Sequence, residues 1–279
     1  MFKTYTLRRA TFSDLSENDG RSSRQIQRIV HTEAQKQKTV IHASEILSVV
    51  LVLDTTYFDT FGVMVFRCWT RRQNLFWMFI GEETNELYLK GLAHLREKGF
   101  TVAAVVCDGK PGLVQQIEAQ SIPVQLCQFH FMKNITKHLT KKPKTPAGKE
   151  LRFLALSAKR MDEESFSETL KIWYEKYEPF LREKTFAPHS AKWQYTHRNL
   201  RAAYRMTVKW LPNLFTYKNL PNLGISNTTN TLDGTFSHVK QKVNTHRGVN
   251  EVTKRKMISL ILNQPSLPKR RKNQLKSVV

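Results

Sequence analysis

Acidic residues are scarce in this sequence: 23 Asp and Glu stand against 45 Lys and Arg in 279 residues, a formal net charge of +22. Cysteine is sparser still, and its count is odd. Cys68, Cys107 and Cys127 cannot form a disulfide framework, which fits a reducing compartment. No apolar run approaches the roughly 20 residues needed to span a bilayer. Met1-Phe-Lys-Thr-Tyr5 does not open a signal peptide. No basic amphipathic helix with an aromatic face stands out, which argues against a membrane-surface protein. What remains is a globular chain, 40% hydrophobic, long enough for one large domain or two smaller ones.

The positive charge is unevenly placed. Residues 47–130 hold 7 Lys and Arg against 8 Asp and Glu, whereas residues 131–220 hold 19 against 8 and residues 238–279 hold 11 against 1. Surfaces this rich in cations bind polyanions by neutralising phosphates and releasing counterions. Nucleic acid is the expected partner.

Residues 1–45 read as a DNA-binding region. Thr11–Gly20 has the pattern of a helix stopped by glycine, and Ser22-Ser-Arg-Gln-Ile-Gln-Arg-Ile-Val30 that of a second helix opening on a serine cap. Helix, short turn and helix predict a helix-turn-helix, with Ser23, Arg24, Gln27 and Arg28 facing the groove. An ordinary helical hairpin is the plain alternative.

From residue 46 the period changes. Ile46–Leu53 is a nearly continuous apolar run, as in a strand buried on both faces. Phe61–Cys68 and Asn74–Ile80 follow at hairpin spacing, then a helix over Thr84–Lys98 closed by Gly99. Strand 102–107, a helix near Gly112–Gln120 and strand Pro123–Cys127 complete the series. This β-β-β-α-β-α-β order belongs to the ribonuclease H-like fold, an α/β mixed sheet. Residues 46–130 and 221–262 are assigned to that catalytic domain. Residues 131–220 contain no convincing strand and are expected to form an all-helical insertion; residues 263–279 are expected to be a disordered basic tail.

Three carboxylates stand out against the basic background. Asp54 closes the first apolar run and Asp108 the fourth, so both are expected at strand ends, where ligands of open sheets gather. Asp59 has a sufficient explanation in its turn. Asp233 lies in an amphipathic segment capped by Asn227, Thr228 or Thr229, whose face Asn230, Asp233, Ser237 and Lys240 repeats at helical spacing. Lys240, Lys242 and Arg247 are expected phosphate contacts. Gly109 and Gly234 would leave room for a close approach. Carboxylates so placed can share divalent ions, Mg²⁺ or Mn²⁺, against a nucleic-acid phosphate. Cys127-Gln-Phe-His130 has the spacing of half a zinc site. No second half is recognisable, so Cys127 and His130 are placed at the active-site edge, with simple core packing of Cys127 left open.

Leu53-Asp-Thr-Thr-Tyr57, Val106-Cys-Asp-Gly109, Cys127-Gln-Phe-His-Phe-Met-Lys-Asn134 and Ile225-Ser-Asn-Thr-Thr-Asn-Thr-Leu-Asp-Gly-Thr-Phe-Ser-His238 resemble, in order, the prokaryotic Mutator-like insertion-sequence transposases. The resemblance implies a ribonuclease H-like core that cuts and joins DNA at element ends, with Asp54 and Asp108 as its first two acids. It also implies terminal inverted repeats and target DNA as partners, a homodimer or larger assembly, and a cytoplasmic, nucleoid-associated location. At position 233 the family pattern has Glu, one methylene longer than the Asp here. A decayed transposase kept as a non-enzymatic DNA-binding protein, and a nuclease of the same fold, are the competing readings.

Overall fold

In a computed structural model, residues 1–8, 10–36, 48–186, 192–246 and 248–264 are described. The elements are α1 (Phe2–Arg8), α2 (Phe12–Asp19), α3 (Ser23–Lys36), β1 (Ser48–Phe58), β2 (Phe61–Cys68), β3 (Gln73–Ile80), α4 (Asn85–Glu97), β4 (Thr101–Cys107), α5 (Leu113–Glu118), β5 (Val124–Leu126), α6 (Gln128–Leu139), α7 (Pro146–Ser157), α8 (Glu163–Arg182), β6 (Lys184–Phe186), β7 (Trp193–Tyr195), α9 (Arg198–Leu214), α10 (Thr216–Asn219), α11 (Asn230–Asn244) and α12 (Glu251–Leu262). The expected start of the first strand at Ile46 and the tail from residue 265 lie outside the described residues.

The chain divides into two compact units, Met1–Val40 with Arg71–Asn74 and Val239–Val279, and Ile41–Thr70 with Leu75–His238. In the first, the two expected helices are present. Thr11 and Asp14 form a reciprocal capping box on α2, and Gly20 ends it at φ 80°, a left-handed conformation that glycine adopts without cost. Ser22 and Gln25 bond each other at the start of α3. Two further helices complete this unit: α1, not expected from the sequence, and α12, assigned there to the catalytic region. Their core joins Phe2, Tyr5, Ile26, Val30, Met257 and Leu260.

The second unit is built on a five-stranded mixed sheet in the order β3-β2-β1-β4-β5. β1 pairs antiparallel with β2 and parallel with β4, and β4 pairs parallel with β5. Val49 to Leu53 are all buried, because a central strand covered on both faces must be apolar at every position. One expectation needs correction: β1 does not end at Asp54 but runs on to Phe58. Antiparallel pairing continues from Asp54↔Val65 to Phe58↔Phe61, and holds the strand after its parallel partner has stopped at Val52↔Val106.

The insertion is also not all helical. Lys184–Phe186 and Trp193–Tyr195 form a two-stranded antiparallel ribbon between α8 and α9. The insertion's far end stitches itself to β5, the edge of the sheet. Thr216 hydroxyl and Asn213 amide donate to the Val124 carbonyl at 2.7 and 3.2 Å. Gln125, fully buried, donates to the Leu214 carbonyl at 2.9 Å and accepts from the Tyr217 N–H at 2.9 Å. These bonds satisfy the polar groups that burial would otherwise orphan.

Candidate active site

Strand register places the first acids. Extending Val52↔Val106 by two residues brings Asp54 level with Asp108, and extending Cys107↔Leu126 by one brings Asp108 level with Cys127. Asp54 within β1, Asp108 just past β4 and Cys127 just past β5 therefore fall at one level of three adjacent strands. Asp54 is half-buried and accepts from the Thr55 N–H at 2.8 Å; Asp108 is exposed and accepts from the Gly109 N–H at 2.6 Å.

Asp233 follows a segment clamped onto the start of α6, and its charge is felt at Asp54. Asn227 carbonyl accepts from the Gln128 N–H at 2.9 Å, and Asn227 amide donates to Gln128 Oε1 at 3.1 Å. Thr229 donates to the buried Cys127 Sγ twice, from its N–H at 3.3 Å and its hydroxyl at 3.4 Å. The hydroxyl is spent on sulfur although Thr229 directly precedes α11. Asp233 then lies in the first turn of that helix, where the dipole favours a carboxylate.

The electrostatics couple the members. Burial pushes the Asp54 carboxyl up to about 7; the Thr55 N–H and His130 oppose it, and the charges of Asp233 and Asp108 add to it. His130 is raised to about 9, first by its hydrogen bond with Cys127 and, against the pull of burial, by the negative charges of Asp108, Cys127 and Asp54. Burial raises the Cys127 thiol, yet hydrogen bonds from His130 and Thr229 outweigh it and hold the thiol below its ordinary value. Cys127 and His130 are thus a hydrogen-bonded thiol–imidazole pair whose basicity is shifted in opposite directions, His130 upward and Cys127 downward. Of the flanking rings, Phe131 is fully buried under the site and Phe129 half exposed.

A second network fastens the residue after Asp54 to the segment after Asp108. The Thr55 hydroxyl lies 3.1 Å from the Tyr88 hydroxyl, which donates to Glu83 at 3.0 Å, and Lys110 donates to the Glu83 carbonyl at 2.9 Å. The residue after Asp54 is thereby tied to the residue two beyond Asp108. Gly109 has a different reason from the one expected: a Cβ there would lie 1.8 Å from the Trp210 ring, so the close approach belongs to α9. Gly234 faces open space.

Sequence reasoning overlooked Gln125, Gln128, Glu83 and Tyr88. The two glutamines carried a usable signal, polar side chains inside Val124-Gln-Leu-Cys-Gln-Phe129, which burial obliges to find partners.

Among the described residues no three His, Cys, Asp or Glu side chains stand close enough to enclose a metal ion. The donor chemistry nonetheless fits a hard divalent cation: three carboxylates, with the charges of Asp108 and Asp233 both bearing on Asp54, which is held up to about 7. Cys127, whose sulfur accepts from Thr229, has no zinc partner set among the described residues.

The expected DNA contacts fall in the first unit. Ser23, Arg24, Gln27 and Arg28 are all exposed on α3, opposite the buried Ile26 and Val30. Lys240 is half-buried. Lys242 needs correction: it is buried and its ammonium donates to the Leu7 carbonyl, which removes it from any phosphate surface. Arg247 lies outside the described residues. No described helix is long and apolar enough to cross a membrane.

No curated protein sequence matches. Among solved structures, the Drosophila P element transposase strand transfer complex aligns over 91% of this chain and 92% of its own, at 11% identity and a TM-score of 0.35. The family described as "Transposase, Mutator family" matches residues 70–222, more than half of the sequence and including Asp108, Cys127 and His130. The chain belongs to the Mutator family of transposases.

Proposed function

We propose that this transposase cuts and joins DNA phosphodiesters at a ribonuclease H-like site made of Asp54, Asp108 and Asp233. The observation that carries the reading is the parallel register of β1 and β4, which puts Asp54 and, one residue past β4, Asp108 at one level, with the charge of Asp233 also bearing on Asp54. Three antiparallel strands followed by two parallel crossovers, in the order β3-β2-β1-β4-β5, support the ribonuclease H-like assignment.

Mg²⁺ or Mn²⁺ held by the three carboxylates would supply positive charge against the phosphate and the departing oxygen. The protein's own part is positional. The clamp through Asn227 and Thr229 fixes where α11 begins, and so how far the short Asp233 side chain reaches. His130, raised to about 9 in part by the charges of Asp108 and Asp54, would offer a hydrogen bond and a charge to a phosphate oxygen. The exposed face of α3 would recognise the element ends, and cutting two ends together calls for at least two copies.

The second reading, a DNA-binding protein without catalysis, draws on the Asp at 233 and on the open spacing of the carboxylates. Asp54→Ala separates the two. It should abolish nicking of end-containing DNA in Mg²⁺ or Mn²⁺ and leave salt-sensitive binding intact. Absence of nicking by the unaltered protein with either ion would overturn the catalytic reading.

A further inference from the structure

The ribbon β6–β7 is a poor piece of core and a good piece of surface. In its register Lys184 pairs with Tyr195 and Phe186 with Trp193, so these four side chains share one face while Thr185 and Gln194 take the other. Phe186 is 66% exposed and Trp193 47%. Cations already sit on the rings: Lys184 Nζ lies 3.9 Å from the Trp193 centroid and the Arg201 guanidinium 3.5 Å from that of Tyr195. Trp193 meets Tyr195 edge-on at 5.2 Å.

Three-residue strands do not stand alone in water, and this pair is held at its foot. Thr196 N–H donates to the Glu183 carbonyl at 3.0 Å, the Thr185 and Thr196 hydroxyls lie 2.7 Å apart, and His197 meets Glu183 at 2.8 Å while stacking on Phe180. The base is fixed, and among the described residues Phe186 and about half of Trp193 remain exposed.

Charge supplies the occupant. After Glu183 there is no acidic residue until Asp233, while seven cations occur in that stretch. Arg198, Arg205 and Lys209 are exposed on α9 at spacings of seven and four, which puts them on one side of the helix, a row of roughly 16 Å at 1.5 Å per residue. The row ends beside Trp210, which seats on Gly109 next to Asp108.

We propose that the β6–β7 face is a stacking platform for unpaired nucleotides of the DNA strand at the carboxylate site, with Arg198, Arg205 and Lys209 tracking its phosphates. The inference rests on the reading of the chain as a DNA-cutting enzyme. Rings flanked by cations suit a nucleotide, whose base stacks while its phosphate pairs. Only unpaired bases can offer their faces, since those of a duplex are already stacked on their neighbours.

The test is binding of the full chain to a labelled single strand and to the matching blunt duplex, by fluorescence anisotropy in EDTA at fixed salt. Trp193→Ala should weaken single-strand binding about tenfold and change duplex binding by less than about twofold, because a duplex is held by phosphate contacts. Phe186→Ala should act in the same direction, and Trp193→Phe should restore most of the loss. Equal single-strand affinity in Trp193→Ala and Phe186→Ala, or equal losses on both DNAs, overturns the platform. Nicking by the unaltered protein is scored separately. Trp193-dependent binding without nicking would fault the catalytic reading alone, and nicking without Trp193-dependent binding would fault the platform alone.

Discussion

Replacing Asp54 with Asn should make the metal-free protein harder to unfold while abolishing any metal-dependent activity. The carboxyl is raised from 3.8 to about 7, mainly by burial. The folded chain therefore holds the proton more tightly than the unfolded one. Its favourable contribution is whole below 3.8 and is lost as pH rises through about 7, where the charged form must be accommodated. A shift of that size corresponds to about 4 kcal/mol. Roughly half should be recovered by Asn, which still buries a polar amide but keeps an oxygen for the Thr55 N–H. The expected gain is about 2 kcal/mol at pH 8, or about 5 °C in Tm for a chain of this size, and it falls to about zero at pH 5, where burying the carboxyl costs little more than burying the amide. Thermal unfolding followed by circular dichroism in EDTA at both pH values measures it. Adding Mg²⁺ should then stabilise the unaltered protein and not the variant. A variant less stable at pH 8, or a difference that ignores pH, would refute the reasoning.

Gly109→Ala forces a Cβ to 1.8 Å from the Trp210 ring and should cost about 1–3 kcal/mol in thermal denaturation; adding Trp210→Phe should return part of it, and no loss in the single variant would mean the ring moves freely. Cys127→Ala removes the acceptor that raises His130 to about 9, so an NMR titration should find the imidazole losing its proton at lower pH, and its stabilising charge fading earlier as pH rises. An unchanged His130 titration would dissolve the pair. Lys242→Met breaks the bond to the Leu7 carbonyl and should lower the stability of the N-terminal unit by about 1–3 kcal/mol while leaving the salt dependence of DNA binding as it was; a shallower salt slope would return Lys242 to the DNA surface.

Apolar runs made the sheet legible, because a strand covered on both faces cannot hide its composition. The succession of the first five strands along the chain, the helix from Thr84 and the Gly20 stop followed from local pattern alone. The continuation of β1 through Thr55-Thr56-Tyr57 did not, since it depends on a partner strand rather than on an apolar run. The β6–β7 ribbon is too short to leave a period of two. Lys242 looked like a surface cation because nothing nearby in sequence announces the carbonyl that takes it, 235 residues away. At the site, the aspartates could be picked out one by one, whereas the clamp that delivers Asp233 joins Gln128 to Asn227 over 99 residues and only the fold brings them together.

The polar seam between β5 and the α9–α10 segment has a consequence for how the protein can be dissected. β5 is an edge strand whose outward groups are occupied by Thr216, Asn213 and, through Gln125, by Leu214 and Tyr217. Excising residues 131–220 to obtain a minimal sheet would bare that edge together with the buried Gln125, and an uncovered edge invites pairing with another chain. Such a fragment should precipitate or associate strand to strand. Keeping α9 and α10 while trimming α7 through β7 is the cut that leaves the edge covered.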